Sequence, residues 1–457
     1  MGDQCTLRLV RELRQVERSE QLAFTISYEE NNIRDIQALI VGPPGTPYEL
    51  GFYEFSIKIP PDYPANPPVV KIRTTNKGRT RFGPNLYANG KVDLGVSLSK
   101  STMNVTEHGD STWHGSRGEQ WSPAQGLESV LLSIQSLLSA NPYTLEPGFE
   151  DTERTNDTEN MEIYKSKIRH ENLRLAVITP LEQAIQTSPP RRRMPPTDGP
   201  SPSQGEDSDA EAEPDFSTYS SFQDFCKRRF LWYFEFYQNA IEKAIADEPR
   251  RQGTPFVQMP FEGQGNSMTG EWNYVDLKAR LLAVRDQLLE ETRCWLVEGL
   301  ALVEEDAGIA VKLRGQREQI AAELSTNPQI IDLSLVDDNP FAWRLTYVGR
   351  NESRLEGGII KIKIYISPRH PEEQPRAFVE TPLYHIRVSK LGVLMYLPSQ
   401  AEEMGHHIEG IISTLEDDNP PYNPLMTVNP EASGLCWGSE LDRRVYRRKL
   451  RASLEES

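Results

Sequence analysis

Residues 42–68, GPPGTPYELGFYEFSIKIPPDYPANPP, carry the pattern that governs how this chain folds. Within them, Phe52 to Ile59 mixes apolar and polar side chains in the manner of a strand, and clusters of Gly and Pro mark a turn on each side. Upstream and downstream, Tyr28 to Val41 and Pro68 to Thr74 predict two further strands. The region is therefore predicted to form a strand meander.

Helical patterns flank the predicted strands. Residues 6–18 place Leu7, Val10, Leu13 and Val16 at helical spacing, which predicts an amphipathic helix before the meander. After it, Ser122 to Ala140 and Glu162 to Ala184 predict helices. A helix, a run of strands and then helices indicate the α+β class.

The sequence also contains an internal repeat. Residues 355–358 (LEGG) echo 48–51 (YELG), and 368–371 (PRHP) echo 61–64 (PDYP). The two echoes have the same separation of 307 residues (356 − 49 and 371 − 64), with an apolar strand pattern between them in each copy. We interpret residues 332–457 as a second, degenerate copy of the first domain.

Two segments of different composition separate the copies. Residues 187–215 are rich in Pro, Ser and acidic residues and almost lack large apolar side chains, so they are predicted to be a disordered linker. Residues 216–331 contain an aromatic-rich stretch and long apolar periodicity, which predict a helical region. The predicted domains are therefore 1–186, 187–215, 216–331 and 332–457.

Bulk properties exclude several classes of function. The formal charge of −17 and the pI of about 5.1 argue against a nucleic-acid-binding scaffold. The sequence has no long apolar run and no leader pattern, which predicts a chain without a membrane span. Its four cysteines are far apart and form no C-x-x-C pair, so a structural metal site or a disulfide is not expected. The expected compartment is the cytosol or the nucleus.

The order of motifs after residue 42 resembles the ubiquitin-conjugating, or E2, family. These motifs are GPPGTPYE at 42–49, YPANPP at 63–68, FGPN at 82–85, NGKV at 89–92 and WSP at 121–123. Residues 141–148 (NPYTLEPG) extend the resemblance to the enlarged Z-type group of that family. The resemblance implies a UBC-like fold, an antiparallel meander flanked by helices, with a degenerate second copy and a helical insertion.

This resemblance also implies a reaction. Family members receive ubiquitin or a ubiquitin-like protein from an activating enzyme, hold it as a thioester on a cysteine, and pass it to a lysine with the help of ligases. Neither a metal nor an organic cofactor is implied, because the activating enzyme uses the ATP. Asn85 matches the motif asparagine that the family uses at the oxyanion, although Gly83 stands where the motif usually has His.

The nucleophile itself is missing. In the family it follows the position matched by Val92, eight residues after the motif asparagine, and here that slot is Asp93 (93 − 85). An aspartate side chain is ionised near neutral pH and has no activated equivalent of thioester exchange. Asp93 is also the first residue of a 19-residue Ser/Thr-rich segment, 93–111, which replaces a much shorter family segment before the resemblance resumes at Thr112.

Two interpretations of this replacement stay open. In the first, the protein is an E2-type transferase, and 93–111 reflects an exon-boundary difference or a splice form that lacks the cysteine block. In the second, it is a non-catalytic E2-variant module that binds ubiquitin, an E2 or a ligase. The length of the segment favours the first, because a decaying enzyme would more simply substitute the cysteine in place.

Other site residues follow from the resemblance. Arg8, Arg11 and Arg14 lie on the helix that docks the activating enzyme in the family, although a solvated basic face has the same pattern. The ligase-facing loops are matched by Ala65, Asn66, Ser122 and Pro123, where proline-directed turns offer an alternative reason for the sequence. In the second copy, Arg387 and Met395 fall at the asparagine and nucleophile positions and imply a scaffold without chemistry.

Overall fold

The computed structural model describes residues 2–19, 22–94, 121–150, 157–186, 221–263, 266–305 and 308–455. It contains two compact units. The first is built from the chain up to Glu182 together with Lys243–Arg280, and the second from Gln223–Glu242 together with Leu281–Ser457. The whole predicted linker, residues 187–215, lies outside the described residues, as do residues 95–111 of the replaced segment.

The first unit is a four-stranded antiparallel meander flanked by helices, which confirms the predicted fold class. Its sheet has the strand order β1-β2-β3-β4. The elements in chain order are α1 (Gly2–Glu17), β1 (Phe24–Glu29), β2 (Asn32–Val41), β3 (Phe52–Lys58), β4 (Val69–Ile72), α2 (Leu127–Leu137), α3 (Asp157–Glu171), a π-helical stretch (Asn172–Ile178) and α4 (Thr179–Gln186).

One strand was not predicted from the sequence. The stretch Tyr28 to Val41, predicted as a single strand, is the end of β1 and the whole of β2, which form a hairpin closed at Glu29 and Asn32. The intervening turn, Glu30-Asn31, contains neither Gly nor Pro, so the usual signal of a strand break is absent. Most side chains of β1 are also only half-buried, which weakens its apolar pattern.

The core of the first unit follows the predicted periodicity in α2 but only partly in α1. Of the stripe predicted for α1, Leu13 and Val16 are buried. Leu7 is 64% exposed and Val10 is half-buried, and Leu9 is buried in their place. In α2 the buried apolar residues are Leu127, Val130, Leu131, Ile134 and Leu137. Both faces of β3 are buried from Phe52 to Ile57, so this strand lies at the centre of the unit. Each fully buried Leu or Ile stabilises the fold by about 1.5–3 kcal/mol, which makes these stripes the main source of stability.

The second unit contains a second sheet of the same topology, with strand order β5-β6-β7-β8. Its strands β6, β7 and β8 begin 307 residues after β2, β3 and β4 (339 − 32, 359 − 52 and 376 − 69). The predicted second copy is thus present. Its strands are β5 (Ile330–Val336), β6 (Asn339–Val348), β7 (Ile359–Tyr365) and β8 (Arg376–Val379).

Helices surround this second sheet. They are α7 (Gly308–Leu324), α8 (Met404–Glu416), α9 (Pro430–Cys436) and α10 (Glu440–Glu455), together with parts of α5 (Gln223–Asp247) and α6 (Tyr274–Glu304). Helix α7 precedes the sheet as α1 precedes the first one, and its buried Ala310, Leu313 and Ile320 belong to the core of the second unit. Part of the core of the second unit thus lies ahead of residue 332, within the helical region predicted for residues 216–331.

Among the helices of the described segments, none has the length and apolar character needed to cross a membrane.

Candidate functional site

The predicted motif asparagine and nucleophile slot lie side by side. The backbone N–H of Asp93 donates to the carbonyl oxygen of Asn85 over 3.0 Å, and both residues are half-buried. Between them the chain turns back at Gly90, whose φ is 90° and whose carbonyl oxygen accepts from the backbone N–H of Ile72 over 2.9 Å. Backbone hydrogen bonds thus join the slot to Asn85 and join the turn at Gly90 to the end of β4.

A buried tyrosine positions the loop that carries Asn85. The hydroxyl of Tyr48 donates to the carbonyl oxygen of Phe82 over 2.5 Å, and the ring of Phe82 lies edge-on to Tyr53 with centroids 5.2 Å apart. Burial raises the pKa of Tyr48 well above its usual range, so its hydroxyl stays protonated and remains a donor. The Tyr48 hydroxyl is therefore a lasting hydrogen-bond donor that holds the loop at Phe82, three residues before Asn85.

A buried carboxylate, which the sequence analysis did not identify, ties α1 to the start of α2. One oxygen of Glu12 accepts from the Tyr63 hydroxyl over 2.6 Å and from the backbone N–H of Leu127 over 3.0 Å. Its other oxygen accepts from Arg8 Nε over 2.7 Å, and Arg8 Nη2 also donates to the carbonyl oxygen of Gln125 over 2.7 Å. The sequence contained a signal for this role, because Glu12 is a charged residue among the buried apolar positions of an amphipathic helix and a buried charge needs partners.

This network separates the three predicted arginines. Arg8 is engaged within the unit, whereas Arg11 and Arg14 are exposed and line a shallow surface groove with Leu7 and Val10. Arg11 and Arg14 are therefore the members of the set that a partner could reach directly.

The two predicted ligase-facing loops are joined to each other. Trp121 Nε1 donates to the carbonyl oxygen of Pro64 over 2.7 Å, and the Trp121 ring packs against Tyr63 with centroids 5.9 Å apart. Beyond these contacts the loops present exposed side chains, namely Ala65, Asn66, Ser122 and Pro123. Residues 65–66 and 122–123 thus lie on two loops that contact each other through Trp121.

The second copy repeats the backbone of the slot with different side chains. The backbone N–H of Met395 donates to the carbonyl oxygen of Arg387 over 2.9 Å, as Asp93 does to Asn85. Met395 is fully buried and Arg387 is 7% exposed, while His385 Nδ1 accepts from the backbone N–H of Arg387 over 3.2 Å. A buried thioether offers no nucleophile and no proton, so this second slot is a packing position.

The described residues contain no group of three or more His, Cys, Asp or Glu side chains that could hold a metal ion.

The meander between two helices, with the slot at the end of β4, defines the class of proteins with the ubiquitin-conjugating fold. The family model described as Ubiquitin-conjugating enzyme matches residues 8–172. The chain is 33% identical over 292 residues to Ubiquitin-conjugating enzyme E2 Z of Xenopus tropicalis, covering 64% of this chain and 74% of that protein. It belongs to the ubiquitin-conjugating enzyme family and is similar to its Z-type members.

Two further relatives support this assignment. Ubiquitin-conjugating enzyme E2 Z of Homo sapiens is 34% identical over 287 residues, which cover 63% of this chain and 64% of the human protein. The human dual E2 ubiquitin-conjugating enzyme/E3 ubiquitin-protein ligase BIRC6 is 38% identical over 174 residues, which cover 37% of this chain and 3% of that protein.

Removal of the Glu12 carboxylate should destabilise the first unit. In Glu12→Ala, the Tyr63 hydroxyl and the Leu127 amide lose their acceptor, and we expect the free energy of unfolding to fall by about 3 kcal/mol. Hydrogen exchange of peptides covering α2 measures this loss. Arg11→Ala, on the exposed face of the same helix, is the control and should change it by about 0.5 kcal/mol or less. Equal protection of α2 in both variants would contradict the assignment.

The second unit should lose stability on acidification. Burial, with the nearby charges of Arg387 and Arg354, lowers the pKa of His385 to about 3. Between that value and the unfolded pKa of about 6.5, the unfolded chain binds the proton at this position and the folded chain does not, so His385 contributes a loss of up to about 1.4 kcal/mol in the free energy of unfolding for each unit by which the pH falls. Burial also lowers the pKa of His407 to about 4, so His407 adds to the slope. His385→Asn, which keeps an acceptor for the Arg387 amide, should reduce the slope by the share of His385 and leave that of His407.

Hydrogen exchange of peptides from β7 and β8 between pH 7 and pH 5 measures the slope. His406→Asn is the matched control, because His406 is only half-buried and lies on the first turn of α8. An identical slope in the parent chain and in His385→Asn would show that His385 does not titrate between the two states.

Proposed function

We propose that this protein acts in ubiquitin transfer as an E2-type scaffold, and that its reaction requires a cysteine where this chain has Asp93. The observation that carries the proposal is the hydrogen bond from the slot amide to the carbonyl oxygen of Asn85, which holds slot and motif asparagine together. A chain with the cysteine block transfers ubiquitin or a ubiquitin-like protein, whereas the chain with Asp93 is catalytically silent.

In the transferring form, the cysteine thiolate attacks the thioester carbonyl that joins the modifier to the activating enzyme, and the thiolate of that enzyme leaves. A substrate lysine amine then attacks the new thioester, the cysteine thiolate leaves, and the amine proton passes to solvent. The side chain of Asn85 donates to the oxyanion that forms when the lysine amine attacks the thioester. ATP is consumed by the activating enzyme, so the scaffold needs no cofactor of its own.

The partners of the proposed reaction are the modifier, the activating enzyme and ubiquitin ligases. Arg11 and Arg14 offer exposed cations on α1 for the activating enzyme. The loops that hold Ala65, Asn66, Ser122 and Pro123 offer the exposed surface for a ligase. The cytosol or the nucleus is the compartment in which these partners would meet the protein.

The chain with Asp93 supports a second candidate function, a non-catalytic binding module. The specific observation in its favour is Asp93 itself, because the slot backbone is intact while the side chain there cannot form a thioester. Such a module would hold a modifier, an E2 or a ligase without transferring anything.

Restoring the nucleophile tests the proposal. Asp93→Cys, incubated with activating enzyme, ATP and ubiquitin or a panel of ubiquitin-like proteins, should form an adduct that a thiol reductant removes. The parent chain and Asp93→Ala should form none. A second variant, in which a shorter cysteine-led loop replaces residues 93–111, covers the case in which the long segment blocks charging.

If both restored variants fold but accept no modifier, the transfer scaffold is excluded and the binding-module function is favoured. Sequencing the transcript across the codons for Val92 to Thr112 then decides which form the organism makes.

A further inference from the structure

A nearly buried guanidinium bonds directly to the loop that carries Asn85. Arg81 Nε donates to the carbonyl oxygen of Gly83 and Nη2 to that of Pro84, each over 3.1 Å. The same Nη2 donates to Glu146 Oε2 over 2.8 Å, and the Arg81 side chain is only 4% exposed. One side chain thus holds the two peptide groups immediately before the motif asparagine.

Aromatic rings enclose this guanidinium. Its carbon lies 5.3 Å from the ring centroid of Tyr87 and 5.7 Å from that of Phe261. Phe261 comes from the segment downstream of α5 and packs edge-on or tilted against three rings of the first unit, with centroid distances of 5.2–5.3 Å. Those rings belong to Tyr143, Phe149 and Tyr164.

The segment that supplies Phe261 is firmly attached. The adjacent Glu262 forms a buried ion pair with Lys167 over 2.7 Å, with side-chain exposures of 1% and 0%. Glu262 also accepts from the backbone N–H groups of Met259 and Met268 over 2.8 and 3.1 Å. Because breaking a buried pair leaves an uncompensated charge, this anchor keeps Phe261 against Tyr143, Phe149 and Tyr164.

We infer that Arg81 is a positioning residue for the proposed reaction, and that Phe261 completes its cage. Gly83 has no side chain with which to brace the motif, and the guanidinium supplies the brace instead by bonding to the backbone on both sides of Pro84. The inference rests on the proposed function. It assigns Phe261, downstream of α5, a task at the reacting loop that the sequence around it does not indicate.

The geometry explains why a single residue suffices. The charge on Arg81 strengthens its two hydrogen bonds to the loop carbonyls relative to bonds from a neutral donor, and the Glu146 carboxylate, 2.8 Å from Nη2, compensates the buried cation. A displacement of about 1 Å at a reacting group can cost about 100-fold in rate, so a small relaxation of the loop would be enough to impair Asn85. Arg81 thereby couples Glu146, Phe261 and the motif loop into one rigid assembly.

Hydrogen exchange on the full chain tests the brace without any catalysis. In Arg81→Ala and Phe261→Ala, amides of residues 82–94 should exchange about 10-fold faster or more, because the loop loses its anchor. The exposed neighbours Arg79 and Val257 provide matched controls, and Arg79→Ala and Val257→Ala should leave that exchange unchanged. Glu146→Gln, which keeps an acceptor, should have a smaller effect than Glu146→Ala.

Unchanged exchange over residues 82–94 in folded Arg81→Ala would overturn the inference. If Arg81→Ala does not fold, the Phe261→Ala and Glu146→Ala chains decide in its place. Faster exchange across the whole first unit, and not in this loop, would also overturn it, since that result describes general destabilisation.

A kinetic split tests the role in the reaction. In the Asp93→Cys background, Arg81→Ala should leave charging by the activating enzyme within about 2-fold and slow discharge to free lysine by about 10-fold or more. Arg81→Lys, which retains the charge but not the fork of donors, should recover part of the loss. Equal slowing of charging and discharge would contradict positioning. Failure of Asp93→Cys to charge bears on the proposed function alone, and the exchange experiment still decides the inference.

Discussion

The loop between β2 and β3 can close only because Gly42 lacks a side chain. The backbone N–H of Gly42 donates to the carbonyl oxygen of Gly51 over 2.8 Å, and a Cβ on Gly42 would lie 1.8 Å from the carbonyl oxygen of Tyr48. This closure sets the pairing of Val41 with Phe52 at the end of the ladder and turns Tyr48 inward to bond with Phe82. The motif loop is therefore located by a close backbone approach made some 40 residues earlier (82 − 42).

The second copy obeys the same constraint with different residues around it. Gly349 donates to the carbonyl oxygen of Gly358 over 2.9 Å, and a Cβ there would lie 1.6 Å from the carbonyl oxygen of Leu355. Gly42 and Gly349 occupy equivalent positions in the two copies, because the close backbone approach leaves no room for a Cβ at either. The slot side chains differ between the copies, with Asn85 and Asp93 in the first and Arg387 and Met395 in the second. The repeat thus separates positions that the backbone constrains from positions that it does not.

This separation also explains what could be predicted from the sequence. The meander and the repeat were predictable, because glycine and proline turns and strand patterns are local and recur at a constant spacing. The edge strand β1 was missed, since the turn at Glu30-Asn31 has no breaker. Arg81 was missed for a different reason: its partner Glu146 is 65 residues away, and Phe261 is farther still. Contacts at such separations leave no periodic signal in a single sequence.

The backbone of the slot is alike in the two copies although its side chains differ. Because Asp93 and Met395 are both held by an amide donating to the residue eight positions earlier, the fold tolerates a carboxylate or a thioether there. An intact fold is thus no evidence for retained catalysis. Exposure is more informative: Met395 is fully buried, whereas Asp93 is half-buried beside a half-buried Asn85. Exposure therefore separates the two slots, because a side chain at residue 93 can be reached from solvent and one at residue 395 cannot.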